Sequence, residues 1–164
     1  MLDFQDWNKA KATVELWKSK GEKVVFTNGC FDILHLGHVT YLEAAAKLGD
    51  RLVVAVNDDA SVRSLEKGNE RPINPEYARA ALISSLRCVD LAVIFTQATP
   101  LELIETLHPD ILVKGGDYDP EETELKSSKY IVGSAETKKR GGLVLTIPLV
   151  AGFSTTNIVN RLKS

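Results

Sequence analysis

Little in the sequence marks a disulfide-stapled, metal-centred, membrane-spanning or nucleic-acid-coating protein. Two cysteines occur among 164 residues, Cys30 and Cys88, far apart and with no CxxC pair or Cys/His cluster beside them. That excludes a disulfide framework and a zinc finger, and it suits a reducing compartment. No apolar run approaches the roughly 18 residues that cross a bilayer, and Met1 to Trp7 carries acidic residues where a signal peptide would place Lys or Arg. The expected location is the cytoplasm, with no membrane partner. Lysine and arginine total 20 against 22 aspartate and glutamate, a net charge of −2, so a broad nucleic-acid footprint or polybasic membrane patch is excluded and any anion must be bound locally. GxxxxGK[ST] is absent, and no GxGxxG follows an apolar run, which removes the commonest kinase, ATPase and dinucleotide-binding readings.

What is present is an ordinary globular balance, 44% hydrophobic and 26% charged. At this length one domain buries roughly 70% of its unfolded surface without staples. Short, unalternating runs rich in Val, Ile and Leu occur at Lys23 to Thr27, Arg51 to Val56, Leu91 to Phe95, Asp110 to Val113 and Leu143 to Ile147. Continuous apolarity of this length marks strands covered on both faces, as in a parallel sheet under helices. Helical spacing separates them. Trp7, Ala10, Val14 and Trp17 form an amphipathic first helix over 1–21, closed by Gly21 and packed on the domain that occupies 22–164. Val39, Leu42 and Ala46 predict a second helix ending at Gly49, and Ala78, Ala81, Leu82 and Ser85 the face of a third. Thr99, Pro100 and Glu102 predict the N-cap, first-turn proline and capping acid of a helix through Leu107. With right-handed crossovers the fold class is α/β, a Rossmann-like doubly wound five-stranded parallel sheet with helices on both faces. Ligands in such sheets lie beyond the C-terminal strand ends. Two segments read as loops, Glu66 to Pro75 and Gly115 to about Ser128, the second a candidate lid.

The most informative stretch is Thr27-Asn28-Gly29-Cys30-Phe31-Asp32-Ile33-Leu34-His35-Leu36-Gly37-His38, which runs from the end of the first strand into a helix. Gly29 permits close backbone approach to a ligand, and Gly37 leaves the helix start unobstructed. His35 and His38, three apart, come together on one side of that start, where free N–H groups and the helix dipole favour an anion. A zinc site needs further ligands that His108 and two unrelated cysteines do not supply, so no metal ligand is assigned. Near the other terminus Gly152 precedes Ser154, a natural N-cap, and Ile158 with Leu162 gives the apolar face of a closing helix. The hydroxyls of Ser154, Thr155 and Thr156 then surround free amides, a second phosphate-binding start.

The segment Gly29 to His38 resembles the GxFDxxHxGH signature of the HxGH nucleotidyltransferase superfamily, which includes cytidylyltransferases and pantetheine-phosphate adenylyltransferases. The superfamily has a Rossmann-like sheet and a C-terminal Ser/Thr-rich helix start that grips a triphosphate, matched here by Phe153 to Ile158. The stretches Thr27 to Asp32, Val54 to Asp59, Arg71 to Pro75, Leu112 to Tyr118 and Ser154 to Ile158 are together similar to the adenylyltransferase family that makes ADP-heptose from heptose 1-phosphate. The likeness spans roughly residues 22–163. It implies ATP and a sugar 1-phosphate as substrates, Mg2+ as the ATP counterion held mostly by phosphates and water, and a separate heptose 7-phosphate kinase as pathway neighbour. A homodimer is expected on other grounds, because the first helix with Trp7 and Trp17 could pack on its own sheet or on another subunit. One departure stands out: several cytidylyltransferases carry an Arg within the C-terminal motif, whereas the nearest here is Arg161, so another residue must meet the triphosphate charge.

Such a transfer needs no covalent enzyme intermediate, because a sugar-phosphate oxygen attacks the α-phosphorus in line and pyrophosphate leaves. The site must align two anions and stabilise charge on the phosphorus oxygens. His38 is then the expected α-phosphate donor and His35 the support of the α and β phosphates. Lys114, ending an apolar strand, points over the sheet edge toward phosphate. Thr27, Asn28, Gly29, Cys30, Phe31, Gly37, Gly116, Ser154, Thr155 and Thr156 are expected around the nucleotide. Asn57, Asp58 and Asp117 are expected near the sugar. Asp32 has two readings, a substrate contact or a loop fixer through backbone N–H bonds. Arg71 and Arg79 are candidate phosphate clamps, though Arg79 could equally be a solvated helix residue. Two other readings remain open: a cytidylyltransferase for glycerol 3-phosphate or a similar small alcohol phosphate, and a nucleotide-binding regulatory module without catalysis.

Overall fold

The structure, a computed structural model, describes residues 3–65 and 71–163. Five parallel strands, β1 (Val24–Gly29), β2 (Arg51–Asn57), β3 (Leu91–Phe95), β4 (Ile111–Gly115) and β5 (Leu143–Ile147), form one sheet in the order β3-β2-β1-β4-β5. Odd and even positions of the apolar runs serve opposite faces. Val25, Leu52, Val54, Val56, Ile94 and Val113 point to one core, while Val24, Phe26, Val53, Ala55, Phe95 and Leu112 point to the other. Both sides are buried, which is why these strands read as unbroken hydrophobic stretches. The sequence direction of the sheet reverses between β1 and β4, so the crevice at their C-terminal ends is the topological switch point.

The helices are α1 (Trp7–Ser19), α2 (Leu36–Ala46), α3 (Asp59–Ser64), α4 (Glu76–Ser84), α5 (Leu101–Leu107), α6 (Ser134–Lys139) and α7 (Thr155–Lys163). α1 packs on its own sheet: Ala10 and Val14 are buried, and the Trp7 indole N–H donates to the Ile94 carbonyl at 2.9 Å. Gly21, at φ +79°, follows its end in the left-handed conformation that glycine tolerates.

Two sequence expectations are corrected, and two helices were not anticipated. The buried face of α4 is Arg79, Ala80 and Ile83, whereas Leu82 and Ser85 face outward. A guanidinium turns inward here because carbonyl and carboxylate partners await it, and its helix rotates with it. The cap of α5 is Pro100, with no side-chain cap bond, rather than Thr99. The two six-residue helices α3 and α6 lack the apolar spacing that would have announced them. Positions 66–70 of the first expected loop lie outside the described residues. Among the described residues no helix is long and apolar enough to cross a membrane.

Candidate active site

The loop between β1 and α2 is held in an uncommon shape. Phe31 has φ +48°, rare for a bulky side chain. Its ring folds back over Gly29, where an added Cβ would sit 3.0 Å from the ring. A side chain at 29 would therefore press on the Phe31 ring and require it to shift. Asp32 is fully buried, pairs with Arg71, and accepts the amides of Ile73 at 2.8 Å and Asn74 at 2.9 Å. Burial pushes its carboxyl up, but those two amides and the Arg71 guanidinium outweigh it and hold the group below the ordinary carboxylate value.

Behind the loop stands Arg79, wholly buried. Its three nitrogens reach the Cys30 carbonyl at 2.6 Å, the Asn74 carbonyl at 2.9 Å and Asp59 at 2.7 Å. One side chain thus ties the Cys30 turn to α3 and to the segment entering α4. The expectation of Arg79 as a solvated residue or phosphate clamp is corrected: it is a strut whose donors are spent on the protein.

The two imidazoles meet where expected. His35 is the N-cap of α2 in extended conformation, and the His38 amide is shared between the His35 carbonyl at 2.9 Å and its ring Nδ1 at 3.3 Å. The rings stack, centroids 3.7 Å apart and planes within 17°. Phe31 meets His38 edge-on at 5.3 Å. Burial lowers the His35 pKa, favouring the neutral ring.

A cavity of about 750 Å³ opens at the C-terminal strand ends and gathers most of the predicted residues. His35, Gly37 and His38 form one wall, with Asn28, Gly29, Cys30, Phe31 and Asp32 beneath. Asn57 and Arg71 line the β2 side, Lys114 the β4 side, and Ser154, Thr155 and Thr156 close the rim. The Lys114 ammonium lies 5.3 Å from the centre of the Tyr118 ring, within cation–π range. Ser154 caps α7 by accepting the Asn157 amide at 3.1 Å.

Besides Arg79, four predicted residues do not reach this wall. Thr27 lies fully buried behind it, its hydroxyl 2.7 Å from that of Tyr41. Asp58 caps α3 by accepting the Ser61 amide, and Gly116 and Asp117 are exposed beyond the end of β4. Asn57 reaches the cavity, but its amide donates to Ser61 at 3.2 Å. Sequence reasoning missed Tyr41 and Tyr130 and gave Tyr118 and Phe153 no role beyond their motif stretches, yet all four line the cavity. Tyr41 was legible, standing three residues after His38 on the same helical face. Burial raises its phenol to about 12, so it stays protonated, a hydrogen-bond partner of Thr27 rather than a base. Tyr130 carried no signal; it belongs to an irregular stretch whose path depends on tertiary contacts such as the Asp119 amide bonding the Lys129 carbonyl.

Residues 26–161 match the family model described as cytidylyltransferase-like. The bifunctional protein HldE of Magnetococcus marinus is 52% identical over 159 residues, covering 97% of this chain and 31% of that protein. Its namesake in Histophilus somni is 53% identical over 95% of this chain and 31% of its own length. The chain therefore spans about a third of these curated relatives. Among solved structures, the lipopolysaccharide core biosynthesis protein from Thermoplasma volcanium GSS1 is similar, at TM-score 0.60 and 35% identity over 79% of this chain and 98% of the other.

Proposed function

The chain belongs to the cytidylyltransferase-like family of nucleotidyltransferases, and from that premise we propose that it transfers AMP from ATP to heptose 1-phosphate, giving ADP-heptose and pyrophosphate. The observation that carries the reading is the convergence of two helix starts, imidazole-bearing α2 and hydroxyl-bearing α7, on one cavity that also holds Lys114 and Arg71. Helix starts, imidazoles and cations all favour phosphate oxygens, and this cavity is lined by all of them. The similarity to the HldE proteins supports the choice of sugar, since the ADP-heptose-forming resemblance and these relatives cover the same stretch of chain.

The acceptor phosphate is already an anionic nucleophile, so no general base is required. Its oxygen attacks the α-phosphorus and the bond to the β-phosphate oxygen breaks in line. His38 donates to the α-phosphate oxygens as charge builds there. Lys114 offsets the triphosphate charge that a C-terminal arginine meets in several cytidylyltransferases, and the Ser154–Thr156 start holds its far end. Arg71 faces the acceptor phosphate while remaining paired to Asp32. Among the described residues lining the cavity, Asp32 is the acidic one, and its oxygens are taken by Arg71 and two amides. Magnesium therefore arrives as part of the substrate MgATP.

The test is pyrophosphate release by the purified chain with ATP or CTP, each paired with heptose 1-phosphate or glycerol 3-phosphate. Turnover with ATP and heptose 1-phosphate at least about a hundredfold above the CTP arms is expected. A CTP preference without response to the heptose would replace the reading by the cytidylyltransferase alternative.

A further inference from the structure

Two histidines that stack at the same helix start are not equivalent, and the difference follows from which atoms they have already spent. His35 occupies the N-cap position, and its ring nitrogen Nδ1 faces the N–H of His38, a donor. A nitrogen facing a donor must present a lone pair, so Nδ1 carries no proton and the ring's hydrogen sits on Nε2. We propose that His35 is a positioning residue, locked as the neutral Nε2–H tautomer, which caps α2 through Nδ1 and forms the plate against which the His38 ring is held. This deepens the reading above and rests on it only where turnover is measured.

Three independent contacts support the assignment. Nδ1 lies where the oxygen of an asparagine cap would lie, three residues before the amide it serves, as capping side chains usually do. The rings are 3.7 Å apart and nearly parallel, a packing that two imidazolium cations would oppose by Coulomb repulsion. Gly37 supplies the space: a Cβ there would come within 3.1 Å of both Cε1 and Nδ1 of His35. The ring lies back over the helix start because residue 37 has no side chain. His38, stacked on one side by His35 and met edge-on by Phe31, is left with little freedom to tilt. Pre-set orientation of a donor is what a transition state rewards.

The experiment separates the ring's two nitrogens. His35→Asn keeps an acceptor at the Nδ1 position and loses Nε2; His35→Gln reaches the Nε2 position and leaves the His38 amide without its side-chain cap. If capping is the role, kcat falls about tenfold in His35→Asn and about a hundredfold in His35→Gln, and His35→Gln melts about 3 °C below His35→Asn. Equal losses, or the reverse order, overturn the proposal. The unaltered chain labelled with heavy carbon and nitrogen gives the independent readout: at neutral pH the His35 ring signal, assigned through its connection to the backbone resonances of the same chain, should show an unprotonated Nδ1 and a protonated Nε2. A proton on Nδ1 overturns the proposal even if neither variant folds. The tautomer and the melting order are read without substrate, so failure of the heptose reading would leave both intact and is told apart from failure of this one.

Discussion

The two helix starts that face the cavity are built in opposite ways. α2 grows from the central strand β1 through a loop braced on every side: Asp32 and Arg79 are buried beneath it, Phe31 is folded onto Gly29, and Leu42 and Ala45 anchor the helix in the core. Among residues 155–162 of α7 none is buried, Leu162 is 78% exposed, and the first turn depends on the Ser154 cap. The two approach each other at one point, where Gly37 leaves room for the Cβ of Phe153, which would lie 3.2 Å from a side chain at 37. The contrast fits the division of labour in a displacement at phosphorus. The α-phosphate changes geometry in the transition state and needs donors that do not move, whereas the departing end needs only to be held and then let go.

The strongest test of that contrast removes the donor on the rigid side. His38→Ala should lower kcat by about a hundredfold to a thousandfold, equivalent to about 3–4 kcal/mol of transition-state stabilisation, with a much smaller change in KM for ATP. Steady-state pyrophosphate release measures both constants. A loss confined to KM would mean that the braced start merely binds, and the contrast would dissolve.

Next in size is the brace itself. Arg79→Ala strands Asp59 and two carbonyls without their donors, and removal of one partner from so buried a set should cost roughly 3 kcal/mol of stability. Urea unfolding should show a lower midpoint at unchanged slope. If the midpoint barely moves, the loop is held by Asp32 and Arg71 alone.

How far this was legible in the sequence follows the same divide. The sheet, its two covered faces and the junction carrying His35 and His38 all follow from local patterns, because apolar period and helix-start chemistry are local properties. The role of Arg79 is not local. Nothing in the spacing of residues 76–84 tells a buried strut from a solvated arginine, since its partners at Cys30 and Asp59 arrive by tertiary folding. The same reason turned the predicted face of α4 and hid Tyr130. Asp58 shows the converse: a carboxylate after a strand reads as a sugar ligand or as a helix cap, and the unanticipated α3 decides for the cap.

A smaller effect distinguishes charge from shape in the brace. Since the folded Asp32 carboxyl titrates below its ordinary value of about 3.9, its stabilisation is complete above that value and is lost as pH falls through the lower, folded one. Asp32→Asn should cost about 2 kcal/mol at neutral pH, the worth of charge-assisted bonds. The gap to the unaltered chain should close below about pH 4. Unfolding curves across pH 2 to 7 would show it; a gap that persists in acid would assign the cost to amide geometry rather than charge.

The least disruptive change falls on the exposed helix. Ser154→Ala removes the acceptor for the Asn157 amide and should cost the first turn of α7 about 1 kcal/mol. Because residues 155–162 of α7 are not buried in the core, that loss has little global folding to pull on, and the melting temperature should move by no more than about 1 °C. The cost should surface instead when the triphosphate needs an ordered helix start: KM for ATP rises about fivefold, the Boltzmann factor of that same 1 kcal/mol, while kcat stays within about twofold. A melting shift as large as that of Arg79→Ala would show that α7 belongs to the same cooperative unit as α2. The two starts would then be one rigid jaw rather than a fixed anvil and a separable grip.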